Sequence, residues 1–206
     1  FMVNPATINY YTNARKEVGT LPSYVQTSYS KYNDAAIVMF SRVGSEGSDR
    51  ATFGQDVNKD KHYLEFTDTE QELIKHAKKN FNKVIVLLNT GNIMEVSNLN
   101  EKKTADNLGV DAVMWIGLTG NDGAAAIGKV LNGEIAPSGR TADTWMADFT
   151  QEPTYFNFGA NNQNVDKDGN RLDTKIYNEA GEAQKTSAAL GRRSSYNSVE
   201  YREGIY

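Results

Sequence analysis

The sequence predicts an α/β fold: a doubly wound, mostly parallel sheet flanked by helices, a three-layer sandwich that ends in a long irregular C-terminal segment. Three observations carry that reading. Short continuous apolar runs recur at Ala35–Phe40, Lys83–Leu88 and Ala112–Ile116. Glycine-containing turns follow each run, and helix-period segments lie between them. Strand and helix in alternation build a parallel sheet, because a crossover is needed to bring each strand back in the same direction.

Residues 1–32 are polar and rich in Tyr, and Pro22-Ser23 starts a short helix within Tyr24–Tyr32. Ala35-Ala-Ile-Val-Met-Phe40 is a continuous apolar run of the kind expected of a strand covered on both faces. A Gly/Ser-rich turn, Ser41 to Arg50, and a polar loop to about Phe66 come next. Thr67-Asp-Thr-Glu70 has capping-box spacing, and Leu73, Ile74, Ala77 and Phe81 recur at helical intervals, so residues 68–80 form an amphipathic helix. Lys83–Leu88 is the second strand, ended by Asn89-Thr-Gly91. A weaker helical stretch is expected between Met94 and Leu108, then the third strand, a Gly-rich turn at Gly117–Gly123, and a helix over Ala124–Leu131 that stops near Asn132-Gly133. Beyond Arg140 the regular pattern fades. This gives a lead-in over 1–32, the sandwich domain over 33–150, and an irregular segment over 151–206 that leads toward a further domain.

Composition narrows the function classes. The 206 residues contain no Cys, which excludes disulfides, thiolate metal sites and a cysteine nucleophile while leaving the compartment open. A net charge of −4 argues against a broad nucleic-acid surface. The apolar runs are far shorter than the roughly 20 residues of a membrane-spanning helix. The chain opens on Phe1-Met-Val3 without a signal segment and closes on Tyr201-Arg-Glu-Gly-Ile-Tyr206, so it is expected to be a piece of a longer polypeptide.

In parallel α/β sheets ligands bind beyond the carboxyl ends of the strands, which directs attention to the three turns. Glu46 lies between Gly44-Ser45 and Gly47-Ser48, with no apolar neighbour to tuck it away, and reads either as a cleft carboxylate or as a solvated loop residue. Asp49-Arg50 reads as an ion pair holding the turn. Gly123-Ala-Ala-Ala-Ile-Gly128-Lys129 has much of a phosphate-loop spacing, yet Val130 replaces the hydroxyl that would ligate magnesium. No dinucleotide fingerprint follows a strand. Asn164-Val-Asp-Lys-Asp-Gly169 imitates half of a calcium loop, but Lys175 stands where the bidentate acid belongs; Asp56-Val-Asn-Lys-Asp60 lacks the glycine. His62 and His76 show no acid at ligand spacing, and Lys75, Lys78 and Lys79 read as the wet face of a helix. Arg192, Arg193, Tyr196 and Tyr201 are open to ligand or domain contacts. No metal or cofactor is expected.

The ordered set Gly44-Ser-Glu-Gly-Ser-Asp-Arg50, Gln71-Glu-Leu-Ile74, Val84-Ile-Val-Leu-Leu-Asn-Thr-Gly91, Trp115-Ile-Gly117, Gly123-Ala-Ala-Ala-Ile127, Val130-Leu-Asn-Gly133 and Pro137-Ser-Gly-Arg140 resembles the C-terminal α/β sandwich domain of glycoside hydrolase family 3, the β-glucosidase type. The resemblance runs over about residues 33–145. The final Tyr201–Tyr206 is similar to the family segment leading toward a fibronectin-type domain. Thr141-Ala-Asp-Thr-Trp145 departs from the family pattern, and so does Leu118-Thr-Gly120.

The resemblance implies hydrolysis of terminal β-linked sugars by the retaining route, with Glu46 as general acid/base, Ser45 and Gly47 beside the sugar, and the nucleophilic Asp on a separate barrel. No Ser-Asp-Trp nucleophile motif and no Lys-His barrel loop occurs in the chain, so the implied partners are a β-glucoside and the N-terminal barrel of the same enzyme. A homo-oligomer is left open. The alternative is a non-catalytic carbohydrate-binding or scaffold module; a flavodoxin-like nucleotide binder is disfavoured by the missing phosphate motifs.

Overall fold

The three apolar runs become three parallel strands in a computed structural model that describes residues 2–14, 21–42, 61–104, 107–151, 175–177 and 183–186. Strands β1 (Ala35–Arg42), β2 (Lys83–Thr90) and β3 (Ala112–Trp115) lie side by side in that order. Their register pairs Ala35 with Lys83 and Arg42 with Thr90, then Ile85 with Ala112 and Leu88 with Trp115. The predicted α/β class holds. The chain divides into two compact units, Phe1–Arg42 with Asp68–Trp145, and Val43–Thr67 with Met146–Tyr206.

In the first unit, the sheet face that carries Val38, Phe40 and Val86 is closed along β1 and β2, and the other face is covered at Leu87 of β2 but open along β1. Val38, Phe40, Val84, Val86 and Leu88 are buried on the closed face, where successive side chains along a strand alternate between sides. On the opposite face Ile37 is 53% and Met39 56% exposed. The expectation that β1 is covered on both faces is therefore corrected: a continuous apolar run reports tolerance of burial on either side, and the described strand uses only one.

Helix α1 (Pro5–Ala14) was not anticipated from the polar lead-in. Its signal is Asn4-Pro5, since the Asn4 side-chain oxygen accepts the Ala6 N–H at 3.0 Å and proline suits the first helical position. The short helix expected after Pro22 is α2 (Ser23–Thr27), continued by a tighter turn over Ser28–Ser30. Leu21, Val25 and Tyr29 bury together against the half-buried Tyr10 and Phe81. Helix α3 (Asp68–Asn80) has the predicted bounds, with Asp68 and Glu70 in its first turn and Lys78 and Lys79 in its last, the placement that the helix dipole favours. Ile74 and Ala77 are its buried apolar residues.

The helix expected over 94–108 is corrected, over its described residues 94–104, 107 and 108, to a loop with one short turn, Ser97–Asn100. Met94, Leu99 and Leu108 are each buried there, but at spacings of five and nine residues that no helix face provides. Asn107 holds the loop locally: its side-chain oxygen accepts the Gly109 N–H at 2.9 Å and its amide donates to the Lys102 carbonyl at 2.6 Å. Such side-chain bonds offer the backbone an alternative to helix. The loop ends on Asp111, whose carboxylate accepts the Val84 N–H at 2.8 Å and Lys103 Nζ at 2.6 Å, tying the start of β3 to the start of β2.

Helix α4 (Gly120–Leu131) begins four residues before the expected Ala124, so the second half of the anticipated turn is its first turn. It ends as predicted. Gly133 takes φ +79, a left-handed conformation that glycine adopts without steric cost, and donates to the Val130 carbonyl.

The described parts of the second unit include a short turn over Phe149–Gln151 and two antiparallel strands, β4 (Lys175–Tyr177) and β5 (Ala183–Thr186). His62 is buried there with its ring edge-on to Phe149 at 6.1 Å. Asp148 accepts both the hydroxyl and the backbone N–H of Thr150, and those bonds hold its carboxyl below the usual carboxylate range.

Candidate active site

Residues at the ends of β1, β2 and β3 form a polar layer where the apolar rows stop. Arg42 follows Val38 and Phe40 on the closed face, yet it is buried like them. Its guanidinium donates to both carboxylate oxygens of Glu70, Nη1 to Oε1 and Nη2 to Oε2, each at 2.7 Å. Nη1 also donates to the Ser41 carbonyl at 2.9 Å. The side chains are 5% and 10% exposed. Two parallel charge-assisted bonds of this kind fix the relative plane as well as the distance of the partners.

Thr90, the register partner of Arg42, is fully buried and donates its hydroxyl to the Asn92 carbonyl at 2.6 Å. Its own carbonyl accepts the Trp115 indole N–H at 2.8 Å, so the third strand's last side chain leans over the end of the second. Trp145 meets the Trp115 ring edge-on, with centroids 6.0 Å apart. Leu118, in the turn after β3, is 75% exposed.

Glu46, Ser45 and Gly47 all lie outside the described residues, as do Asp49 and Arg50. Along the chain they directly follow Arg42, at the carboxyl end of β1. Asp56–Asp60, Asn164–Gly169, Arg192, Arg193, Tyr196 and Tyr201 also lie outside. The Gly123–Lys129 spacing falls inside α4 and not in a loop between strand and helix, so it forms no phosphate cradle.

The glycosyl hydrolase family 3 C-terminal domain pattern matches residues 4–206. The chain belongs to that family. Relatives of the family 3 domain include a beta-glucosidase of Ruminococcus albus, 33% identical over 134 residues, which covers 65% of this chain and 13% of the relative. Beta-glucosidase A of Butyrivibrio fibrisolvens is 29% identical over 161 residues, 71% of this chain and 19% of that protein. The crystal structure of a beta-glucosidase from Paenibacillus barengoltzii superposes with a TM-score of 0.56 at 25% identity, over 68% of this chain and 14% of the other. The family 3 domain thus spans less than a fifth of each of these proteins.

Within the family 3 domain, the remaining singled-out residues have structural partners. Trp145, in the segment that departs from the family pattern, packs on Trp115. His76 Nε2 lies 3.2 Å from the Tyr29 hydroxyl, and burial, then nearby Lys79, lowers its pKa. Lys75 pairs with Glu72 at 2.8 Å on the exposed face of α3 as expected. Lys78 is a correction, since it donates to the Asn107 carbonyl and so ties α3 to the loop before β3. His62, which the spacing left without an acid, receives one three residues on: Glu65 Oε2 is 3.5 Å from its Nε2 and accepts its backbone N–H at 2.9 Å.

The Arg42–Glu70 pair was missed by the sequence reading. Its signal is Glu70 itself, which falls four residues before Ile74 and seven before Ala77, on the apolar face of α3. An acid on that face demands a buried cation.

Proposed function

We propose that the chain is the acid/base-bearing domain of a retaining β-glycosidase that hydrolyses terminal non-reducing β-linked sugars, β-glucosides foremost. Glu46 is the general acid/base, with Ser45 and Gly47 beside the sugar. The nucleophilic Asp lies outside the chain, on the barrel domain of the same enzyme. The carrying observation is the family match over residues 4–206, with the Gly44-Ser-Glu-Gly-Ser48 motif leaving the carboxyl end of β1.

In the first step the protonated Glu46 donates its proton to the glycosidic oxygen while the Asp attacks the anomeric carbon and the alcohol departs. In the second, the Glu46 carboxylate takes a proton from water as that water displaces the Asp from the same carbon. Net inversion occurs twice, so configuration is retained. This route needs the two carboxyl groups about 5–5.5 Å apart, one protonated and one ionised at the start. Gly44 and Gly47 let the backbone come close to a ligand, and the Ser45 hydroxyl offers a hydrogen bond to a sugar hydroxyl.

The test is Glu46→Ala in the full-length enzyme. Turnover of substrates with poor leaving groups should fall by roughly 10²–10⁴-fold, the usual worth of general acid–base catalysis. Azide should restore part of the rate on an activated aryl glucoside and yield the β-glucosyl azide, because a small anion can enter the space of the missing carboxyl without needing a base. Kinetics equal to the parent enzyme would move the acid/base role to another residue.

A further inference from the structure

Helix α4 (Gly120–Leu131) is held less firmly than its regular shape suggests. None of its 12 residues is buried, and its apolar Ile127, Val130 and Leu131 are only half-buried. A helix this short is marginal in water unless packing covers an apolar face, so its last turn opens easily. Two hydrogen bonds close that turn. The Glu134 N–H donates to the Lys129 carbonyl at 2.9 Å and the Gly133 N–H to the Val130 carbonyl at 3.0 Å, around Gly133 at φ +79. This is the paired cap that a left-handed glycine makes possible.

The residue before that glycine is Asn132, and Asn132-Gly133 is the one Asn-Gly pair in the chain. We propose that Asn132 is a site of spontaneous deamidation in the folded protein, with water as the only co-reactant, and that its conversion unlocks the end of α4. The inference is independent of the role of Glu46.

The reaction balances without a catalyst. The Gly133 amide nitrogen gives its proton to solvent base and attacks the Asn132 side-chain carbonyl carbon. A nitrogen–carbon bond forms, the bond to Nδ2 breaks, and ammonia leaves with a proton taken from water. Water then opens the resulting cyclic imide at either carbonyl. The products are aspartate and an isoaspartate whose main chain runs through the former side chain.

Three observations place the reaction here. First, glycine has no Cβ to hinder its nitrogen, and nothing lies within 4 Å of the space that a Cβ on Gly133 would fill. Second, Asn132, Gly133 and Glu134 are all exposed, so base and water reach the reacting atoms. The Asn132 amide donates to Glu134 Oε1 at 2.7 Å, a bond between two exposed side chains that opens together with the turn. Third, the bond that guards the nucleophile, from the Gly133 N–H to Val130, belongs to a helix end with no buried residue behind it.

The product cannot rebuild the cap. Isoaspartate lengthens the main chain by one atom just before Gly133, which moves the Gly133 and Glu134 N–H groups out of register with the Val130 and Lys129 carbonyls. Either product also sets a carboxylate at the C-terminal end of the helix, where the dipole disfavours negative charge, and beside the Glu134 carboxylate.

The experiment ages the full-length enzyme in mildly alkaline buffer, beside the same enzyme in guanidinium chloride and beside Asn132→Gln. Peptide mass spectrometry reads the gain of about one dalton at position 132, and methyl transfer by an isoaspartyl methyltransferase marks isoaspartate. The folded enzyme should convert at no less than a tenth of the unfolded rate, with isoaspartate as the major product. The aged enzyme should exchange the Glu134 and Ile135 amide hydrogens at least tenfold faster than Asn132→Gln aged alongside. Freshly purified parent enzyme is the second reference, so the comparison survives a variant that fails to fold. Conversion in the folded enzyme slower than a tenth of the unfolded rate overturns the proposal, because the cap then protects Asn132. Conversion with unchanged exchange at Glu134 and Ile135 overturns the claim that it unlocks α4.

Discussion

Arg42 and Glu70 each carry a full charge into a region where Phe40, Ile74 and Thr90 are shielded from water. The energetic consequence is asymmetric. Removing one partner strands the other charge, which commonly costs about 3–5 kcal/mol, whereas replacing both by apolar groups of similar volume is often neutral. Glu70→Ala should therefore lower the unfolding free energy by about that amount in a urea titration, and a loss below about 1 kcal/mol would mean that water or its other partners relieve Arg42. The sequence held half of this information. Glu70 sits at an apolar-face position of α3, which marks it as unusual, but Thr67-Asp-Thr-Glu70 also fits a capping box and offers a local explanation. The competing partner lies 28 residues away on a strand, and that separation is what pattern reading along one element does not see.

At the scale of elements, a single carboxylate gathers the starts of β2 and β3 and the loop between them. Asp111 accepts Lys103 Nζ, the Val84 N–H and Lys83 Nζ, with the Lys103 hydrogen bond the largest influence, and its pKa falls from an ordinary 3.8 to about 2. A depressed carboxylate pKa means that the folded state favours the ionised form, so the stabilisation is present above pH about 4 and is lost as pH falls toward about 2. Asp111→Asn should flatten that limb of stability against pH in acid unfolding followed by circular dichroism; an unaltered slope between pH 4 and pH 2 would assign it elsewhere. Strands β1 to β3 and helix α3 were legible because local periodicity and burial agree there. The stretch 94–108 was not, because Met94, Leu99 and Leu108 are apolar enough to suggest a helix while Asn107 commits the backbone to a loop through its own hydrogen bonds. Helix α4 was found but started late, since Gly120 and Gly123 disguise its first turn as part of the preceding one.

At the scale of the whole molecule, the chain covers less than a fifth of the relatives it matches and carries no nucleophile motif of the family pattern. Purified by itself, it should show no turnover of an aryl β-glucoside above the buffer blank, because double displacement needs the second carboxylate to form the covalent intermediate. Robust hydrolysis by the chain alone would sink the division of labour proposed for Glu46. The same molecule also has a side on which Ile37 and Met39 stand in water, on β1, one of the two outer strands of the sheet among the described residues. Exposed apolar side chains on an outer strand favour the addition of a second chain, so self-association is the behaviour to test for this domain in isolation. Ile37→Lys with Met39→Lys should raise the monomer fraction seen by light scattering without moving the melting temperature by more than a few degrees. The exposed apolar side of β1 is thus a statement about colloidal behaviour as much as about packing.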